Sequence, residues 1–194
     1  MAVLVLQVNS PHSIIPKRVN LWIEAIFMQH LYTPWRMAYI KGEKKPVDGC
    51  IFCKKVTAEN DEEEQIVARS EYVYLTLNRF PYSNGHLMVV PYDHIESQEE
   101  LAAEALTDMM LMVNRAMGAL RKLYNPPAFN IGANIGAAAG AGIAQHYHFH
   151  IVPRWHGDAN FMTVIGDTRV IPDTLENSYQ ALKTVWQDLY EKSD

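Results

Sequence analysis

His146, His148 and His150 stand at every second position in the stretch Gln145-His146-Tyr147-His148-Phe149-His150-Ile151-Val152-Pro153-Arg154-Trp155. Imidazole can bind a metal, attack an electrophile or shuttle a proton near neutral pH. Tyr147, Phe149, Ile151 and Val152, which lie between and after the histidines, are aromatic or β-branched and favour an extended strand. Strand side chains alternate with a period of two. The three imidazoles are therefore expected on one face, and Tyr147, Phe149 and Ile151 on the other. A single histidine on a half-buried strand is commonly a packed, hydrogen-bonded side chain. A row of three needs a polar partner for each buried ring, and that cost argues for a use.

The central ring, His148, is placed for nucleophilic work. A neutral imidazole can attack phosphorus and form a phosphoramidate, dividing one hard displacement into two easier ones. Its other ring nitrogen must then be held by a hydrogen bond, and donors must surround the phosphate. Asn134 and the backbone amides of Gly136-Ala137-Ala138-Ala139-Gly140-Ala141-Gly142 are candidates, because small residues let a backbone approach a ligand closely. Acyl transfer suits a nucleophilic histidine less well than phosphoryl or nucleotidyl transfer.

A second constellation is metal-like. Cys50 and Cys53, the two cysteines of the chain, form a C-x-x-C pair. The spacing suits a metal or a redox pair better than a secretory disulfide framework, and two unliganded thiols are the third reading. His94 and His146 could complete a closed Cys2His2 zinc site of structural type.

The composition narrows the partners. With 194 residues the chain is long enough for one domain with a real core, and 48% hydrophobic and 20% charged residues are ordinary for a globular protein. A net charge of −5 without a basic stripe argues against duplex nucleic acid. No apolar run approaches bilayer-spanning length. The segment from Met1 to Val8 lacks a basic n-region and a cleavage site, so a cytoplasmic protein is expected.

The elements that must position these groups follow from periodicity. Strands are expected over residues 65–69, 72–77, 86–91 and 129–134, with the histidine strand over 146–153. Short connections make the first three antiparallel neighbours. A hairpin between the last two would hang the Gly/Ala loop beside the imidazoles. Ser97 and Glu100 form a capping box, after which a long helix runs to Tyr124 on a stripe that includes Ala105, Met109, Met112, Ala116 and Leu120. Pro172 and Asp173 open a last helix carrying Tyr179, Leu182 and Trp186. Before the cysteines, residues 3–8 read as an edge strand, Asn20 as a helix cap, and Thr33-Pro34 as a helix start.

The sequence His146-Tyr147-His148-Phe149-His150-Ile151-Val152 resembles the His-x-His-x-His-hydrophobic-hydrophobic signature of the histidine triad (HIT) superfamily. Residues 31–40, 49–53, 78–91, 134–136, 139–143 and 152–155 look like its bacterial branch near diadenosine tetraphosphate phosphorylase. The resemblance covers roughly residues 31–190, giving an N-terminal extension over 1–30 and a HIT domain over 31–194.

The resemblance implies an α+β fold: a five-stranded antiparallel sheet with a long helix and a C-terminal helix, in a homodimer with two separate sites. It implies cleavage of adenine dinucleoside polyphosphates through a covalent nucleotidyl intermediate on His148, resolved by inorganic phosphate or water. His150 would position the phosphate, and His86 would support the histidine row. Asn78 would contact the nucleoside; Asn134, Gly140 and Gly142 would hold phosphate; Trp155 would lie near the substrate. Zinc on Cys50, Cys53, His94 and His146 fits a site found in several relatives. This sequence has Ala141-Gly142-Ile143 where many relatives place Gln, Ser or Thr, which leaves backbone amides for an acceptor phosphate and weighs hydrolysis against phosphorolysis. Three other readings are kept: a hydrolase of adenosine phosphoramidates or other AMP conjugates, a nucleotide-binding or zinc-stabilised interaction protein with little turnover, and a metalloenzyme whose triad binds a catalytic metal.

Overall fold

The computed structural model describes residues 49–158 and 173–192. The expectations for residues 3–8, Asn20 and Thr33-Pro34 lie outside these residues. Within them, five strands build one antiparallel sheet: β1 (Ile66–Arg69), β2 (Val73–Leu77), β3 (Leu87–Pro91), β4 (Ala128–Gly132) and β5 (Phe149–Arg154). Their spatial order is β1-β2-β3-β5-β4. The central strands β2 (Val-Tyr-Leu-Thr-Leu) and β3 (Leu-Met-Val-Val-Pro) are buried at every position, so both faces of the sheet are covered.

One face carries helix α2 (Ala103–Tyr124), which packs across β2, β3 and β5. Ala105, Met109, Met112, Val113, Ala116 and Leu120 recur at helical spacing and form the buried stripe. Asn125 ends the helix in the left-handed conformation (φ 45°, ψ 50°), its N–H on the Arg121 carbonyl, and Pro126-Pro127 follow. Helix α3 (Leu175–Trp186) lies against α2 and β1 and buries Tyr179, Leu182 and Trp186. Thr174 caps it by accepting the Asn177 N–H at 3.2 Å. A π-helical turn, Gln187–Glu191, continues it. Helix α1 (Ile51–Thr57) precedes the sheet, and its Phe52 forms a second apolar cluster with Ile66, Tyr74, Met88 and Val90.

The structure moves two expected boundaries. Ser97 and Glu100 do pair, the Ser97 N–H meeting the Glu100 carboxylate at 3.1 Å, but they close a single 3-10 turn, Gln98–Glu100. Leu101 then turns extended and buries, and the α-helix begins only at Ala103. The histidine strand begins at Phe149 rather than at His146. The β3–β5 register pairs Val89 with Phe149, so its continuation would set Pro91 against Tyr147. Pro91 has no N–H to donate, and its carbonyl accepts from the His146 ring at 3.0 Å. Tyr147 instead donates its N–H to the Ile95 carbonyl at 2.6 Å. The two-face alternation survives the loss of the ladder. Tyr147, Phe149 and Ile151 join the α2 side of the core, while His146 and His148 pack on Phe52 of α1.

Candidate active site and metal centre

His148 is 6% exposed, and its ring centroid lies 5.0 Å from that of Phe52. Its Nδ1 is 2.8 Å from the His146 carbonyl oxygen. A carbonyl only accepts, so Nδ1 carries the proton and Nε2 keeps the lone pair. Burial pulls the His148 pKa below the usual imidazole value, against a smaller upward pull from that same hydrogen bond. The side chain is thus a neutral imidazole of fixed tautomer, the form a nucleophile requires.

A relay of hydrogen bonds fixes the neighbouring ring. The Tyr82 backbone N–H donates to His86 Nδ1 at 3.0 Å, which leaves the His86 proton on Nε2. That Nε2 lies 2.9 Å from His150 Nδ1 and donates to it. A neutral His150 consequently carries its own proton on Nε2 and can offer it to a phosphate oxygen. His86 is fully buried, and the His148 and His150 ring centroids are 4.9 Å apart. Asn78 stands beside the relay, its Nδ2 3.3 Å from His86 Nδ1, while its Oδ1 accepts the Phe80 N–H at 2.9 Å.

His148 and His150 line a pocket together with Asn78, Asn134 and Gly142. Its apolar walls come from Phe52, Leu77, Phe80, Met88 and Ile143. The β4–β5 hairpin, with Gly132 opposite His150, delivers Asn134 and Gly142 to the imidazoles. Gly140 and Trp155 do not line this pocket. The Gly140 N–H is spent on the Ala137 carbonyl at 3.0 Å, and the Ala139 and Ala141 amides fold back on Gly136. Trp155 follows β5 and donates its N–H to Asp158. His86 acts on the pocket through His150 rather than as part of its wall.

Sequence reasoning missed Lys55, which also lines the pocket and is 6% exposed. Its ammonium donates to the Glu64 carbonyl and, at 3.0 Å, to the Thr76 hydroxyl. Burial lowers its pKa to about 8, with Glu64 pushing back up. The available signal was its i,i+3 spacing from Phe52, which puts both on the buried side of α1.

The four expected metal ligands converge at the other end of α1. The ligand atoms of Cys50, Cys53, His94 and His146 all lie within 4.8 Å of one another. Cys50 Sγ is 3.3 Å and Cys53 Sγ 3.6 Å from His146 Nδ1. Cys53 Sγ is 3.3 Å from His94 Nδ1, and the two Nδ1 atoms are 3.2 Å apart. Bonds of about 2.0–2.3 Å to a tetrahedral zinc place its ligand atoms about 3.3–3.8 Å from each other, so the set has the right size. His146 also presents the right nitrogen. Its Nε2–H is held by the Pro91 carbonyl, which leaves the Nδ1 lone pair toward the thiols. Among the described residues, no helix is long and apolar enough to cross a membrane.

The HIT domain family model matches residues 59–157. The AP-4-A phosphorylase of Mycobacterium tuberculosis is 39% identical over 165 residues, 82% of this chain and 85% of that protein. The crystal structure of a Zn-bound histidine triad family protein from Mycobacterium smegmatis superposes with a TM-score of 0.60 at 27% identity, covering 74% of this chain and 96% of that one. A hypothetical histidine triad nucleotide-binding protein from Sulfolobus tokodaii gives a TM-score of 0.59 at 25% identity, over 72% of this chain and 93% of that one. With His148 and His150 of its triad on the pocket wall and these relatives along most of its length, the chain belongs to the HIT family.

Proposed function

We propose that this HIT-family enzyme cleaves dinucleoside polyphosphates of the diadenosine tetraphosphate type by nucleotidyl transfer through His148. The observation that carries this reading is the buried, neutral His148, whose Nδ1–H is tied to the His146 carbonyl on the wall of an apolar pocket. Nε2 attacks the α-phosphorus; a P–N bond forms, and the P–O bond to the departing nucleoside polyphosphate breaks. His150 donates from Nε2 to a phosphate oxygen as charge builds, held in that tautomer by His86. Asn134 and Gly142 complete the phosphate end, and Asn78 faces the nucleoside. Inorganic phosphate or water then displaces His148, giving ADP or AMP. The kinship with the mycobacterial AP-4-A phosphorylase supports the substrate class.

Cys50, Cys53, His94 and His146 would hold a zinc ion, which supplies structural cross-linking between α1 and the start of the triad. The Zn-bound relative supports that choice of metal. A homodimer in the cytoplasm is carried as part of this reading; the exposed edge strand β4, with Ile131 47% exposed, is a surface a second copy could cover.

Hydrolysis has its own supporting observation. Gly142 and Ile143 line the pocket and offer no hydroxyl or amide side chain to an acceptor phosphate. A panel of diadenosine tetraphosphate and an adenosine phosphoramidate, each with and without inorganic phosphate and with both products identified, tests the proposal. Cleavage of the tetraphosphate to ATP plus ADP or AMP is expected. No turnover of either substrate would overturn it.

A further inference from the structure

Lys55 is out of place as an ordinary surface lysine. Lysines are almost never fully buried unless paired, and they usually extend their charge to water. Here the ammonium sits inside, beside the walls formed by Phe52, Leu77 and Met88. It has three protons to donate. Two go to the Glu64 carbonyl and the Thr76 hydroxyl, and the Glu64 carboxylate is 3.8 Å away, beyond a hydrogen bond. Among the described residues the third proton has no acceptor, and the residue lines the pocket.

The sheet register locates this ammonium relative to the triad. Thr76 lies directly opposite Met88, and Met88 directly opposite His150. Residues directly opposite across strands share a face, with neighbouring strands about 4.8 Å apart. The Lys55–Thr76 end is therefore two strands, about 10 Å, from the His150 end. The phosphate-binding candidates Asn134 and Gly142 reach the pocket from the hairpin beyond β5, the opposite side from β2. A phosphate is also a poor guest beside Lys55, because the Glu64 carboxylate stands next to it and already faces Arg79 at 3.6 Å. An uncharged, flat, apolar group with acceptor atoms on its rim matches the slot better.

We propose that Lys55 is a specificity-determining residue of this pocket: its ammonium, held by Thr76 and the Glu64 carbonyl, donates its third proton to a ring nitrogen on the edge of the bound purine. The inference rests on the nucleotidyl-transfer reading and adds how the base is recognised. A site built to hydrogen-bond a substrate atom discriminates strongly against the analogue that lacks it.

The test compares kcat/KM for diadenosine tetraphosphate with analogues carrying CH in place of N1, N3 or N7 in both adenines. In the wild type, one of the three replacements is expected to cost about 10–100-fold, the fold-change for one hydrogen bond to a charged donor. Lys55→Met should bring the parent substrate down to the level of that analogue and lose nothing further on the analogue itself. A purely structural Lys55 would lower all four substrates in parallel. Lys55→Gln, which still offers a donor to the buried acceptors, supplies the same comparison should Lys55→Met fail to melt cooperatively. Wild-type turnover with no penalty for any replacement, or a penalty that survives in the folded variant, overturns the Lys55 assignment alone. A wild type that turns over none of the four substrates overturns the nucleotidyl-transfer reading beneath it.

Discussion

The Nδ1–H of His148 donates to the backbone carbonyl of His146 across 2.8 Å. The same His146 points its ring Nδ1 at Cys50, Cys53 and His94 and anchors its Nε2–H on Pro91. One residue thus joins the cluster of metal-ligand atoms to the tautomer of its neighbour. The row of three imidazoles resolves into three environments: a buried ring among thiols, a buried ring with a free lone pair, and a ring tied to His86.

Metal removal should show that junction. Zinc is expected at one ion per chain by elemental analysis, falling well below that in Cys53→Ser. Chelation should lower Tm by about 2–4 °C for each kcal/mol of binding energy lost, and activity should fall with it. A chelator that abolishes activity while Tm stays fixed would point to a catalytic metal instead.

His86 is expected to act as a positioning residue. His86→Ala removes the acceptor of the Tyr82 N–H and the donor to His150. Steady-state kinetics should show kcat down by about 10²-fold, with KM changing much less. His86→Gln, which can keep one of the two bonds, should recover part of kcat. Unchanged kcat in a well-folded His86→Ala would detach the relay from turnover.

Phe52 packs on both His146 and His148, at ring-centroid distances of 5.3 and 5.0 Å, and its carbonyl accepts the Tyr74 hydroxyl at 3.1 Å. Phe52→Ala should cost about 3–5 kcal/mol in urea denaturation and lower zinc retention in parallel. A cost below about 1 kcal/mol would mean that α1 closes over the gap.

Gly85 turns the chain into His86 at φ +73°, and a Cβ there would sit 2.9 Å from both Leu120 and Tyr124 of α2. Gly85→Ala should lose about 1–3 kcal/mol by denaturant unfolding. Because this turn delivers His86, kcat should fall as well. Wild-type stability in this variant would contradict the close approach of the turn to α2.

Much of this arrangement was legible because periods are local properties. Alternation put His146 and His148 opposite Tyr147 and Phe149, and the helical stripe of α2 named Met109, Met112 and Leu120 as core. What escaped depended on which partner a group meets, a choice that periodicity does not encode. The ladder stops at Phe149 because of Pro91, a residue of another strand. Gly140 turns its amide inward because Ala137 offers a carbonyl within a 3-10 turn, a choice that composition does not encode. Lys55 reads as a charged residue after C-x-x-C until Thr76 on β2 and Glu64 in the turn before β1 are seen to receive it.

The most direct measurement is to trap the intermediate. Wild-type protein mixed with diadenosine tetraphosphate and quenched before steady state should gain the mass of one adenylyl group. Peptide mapping should place that group on His148 as an acid-labile phosphoramidate, and His148→Ala should show neither adduct nor turnover. Rapid product formation without any adduct, an adduct on another residue, or wild-type turnover by folded His148→Ala would contradict nucleotidyl transfer through this histidine.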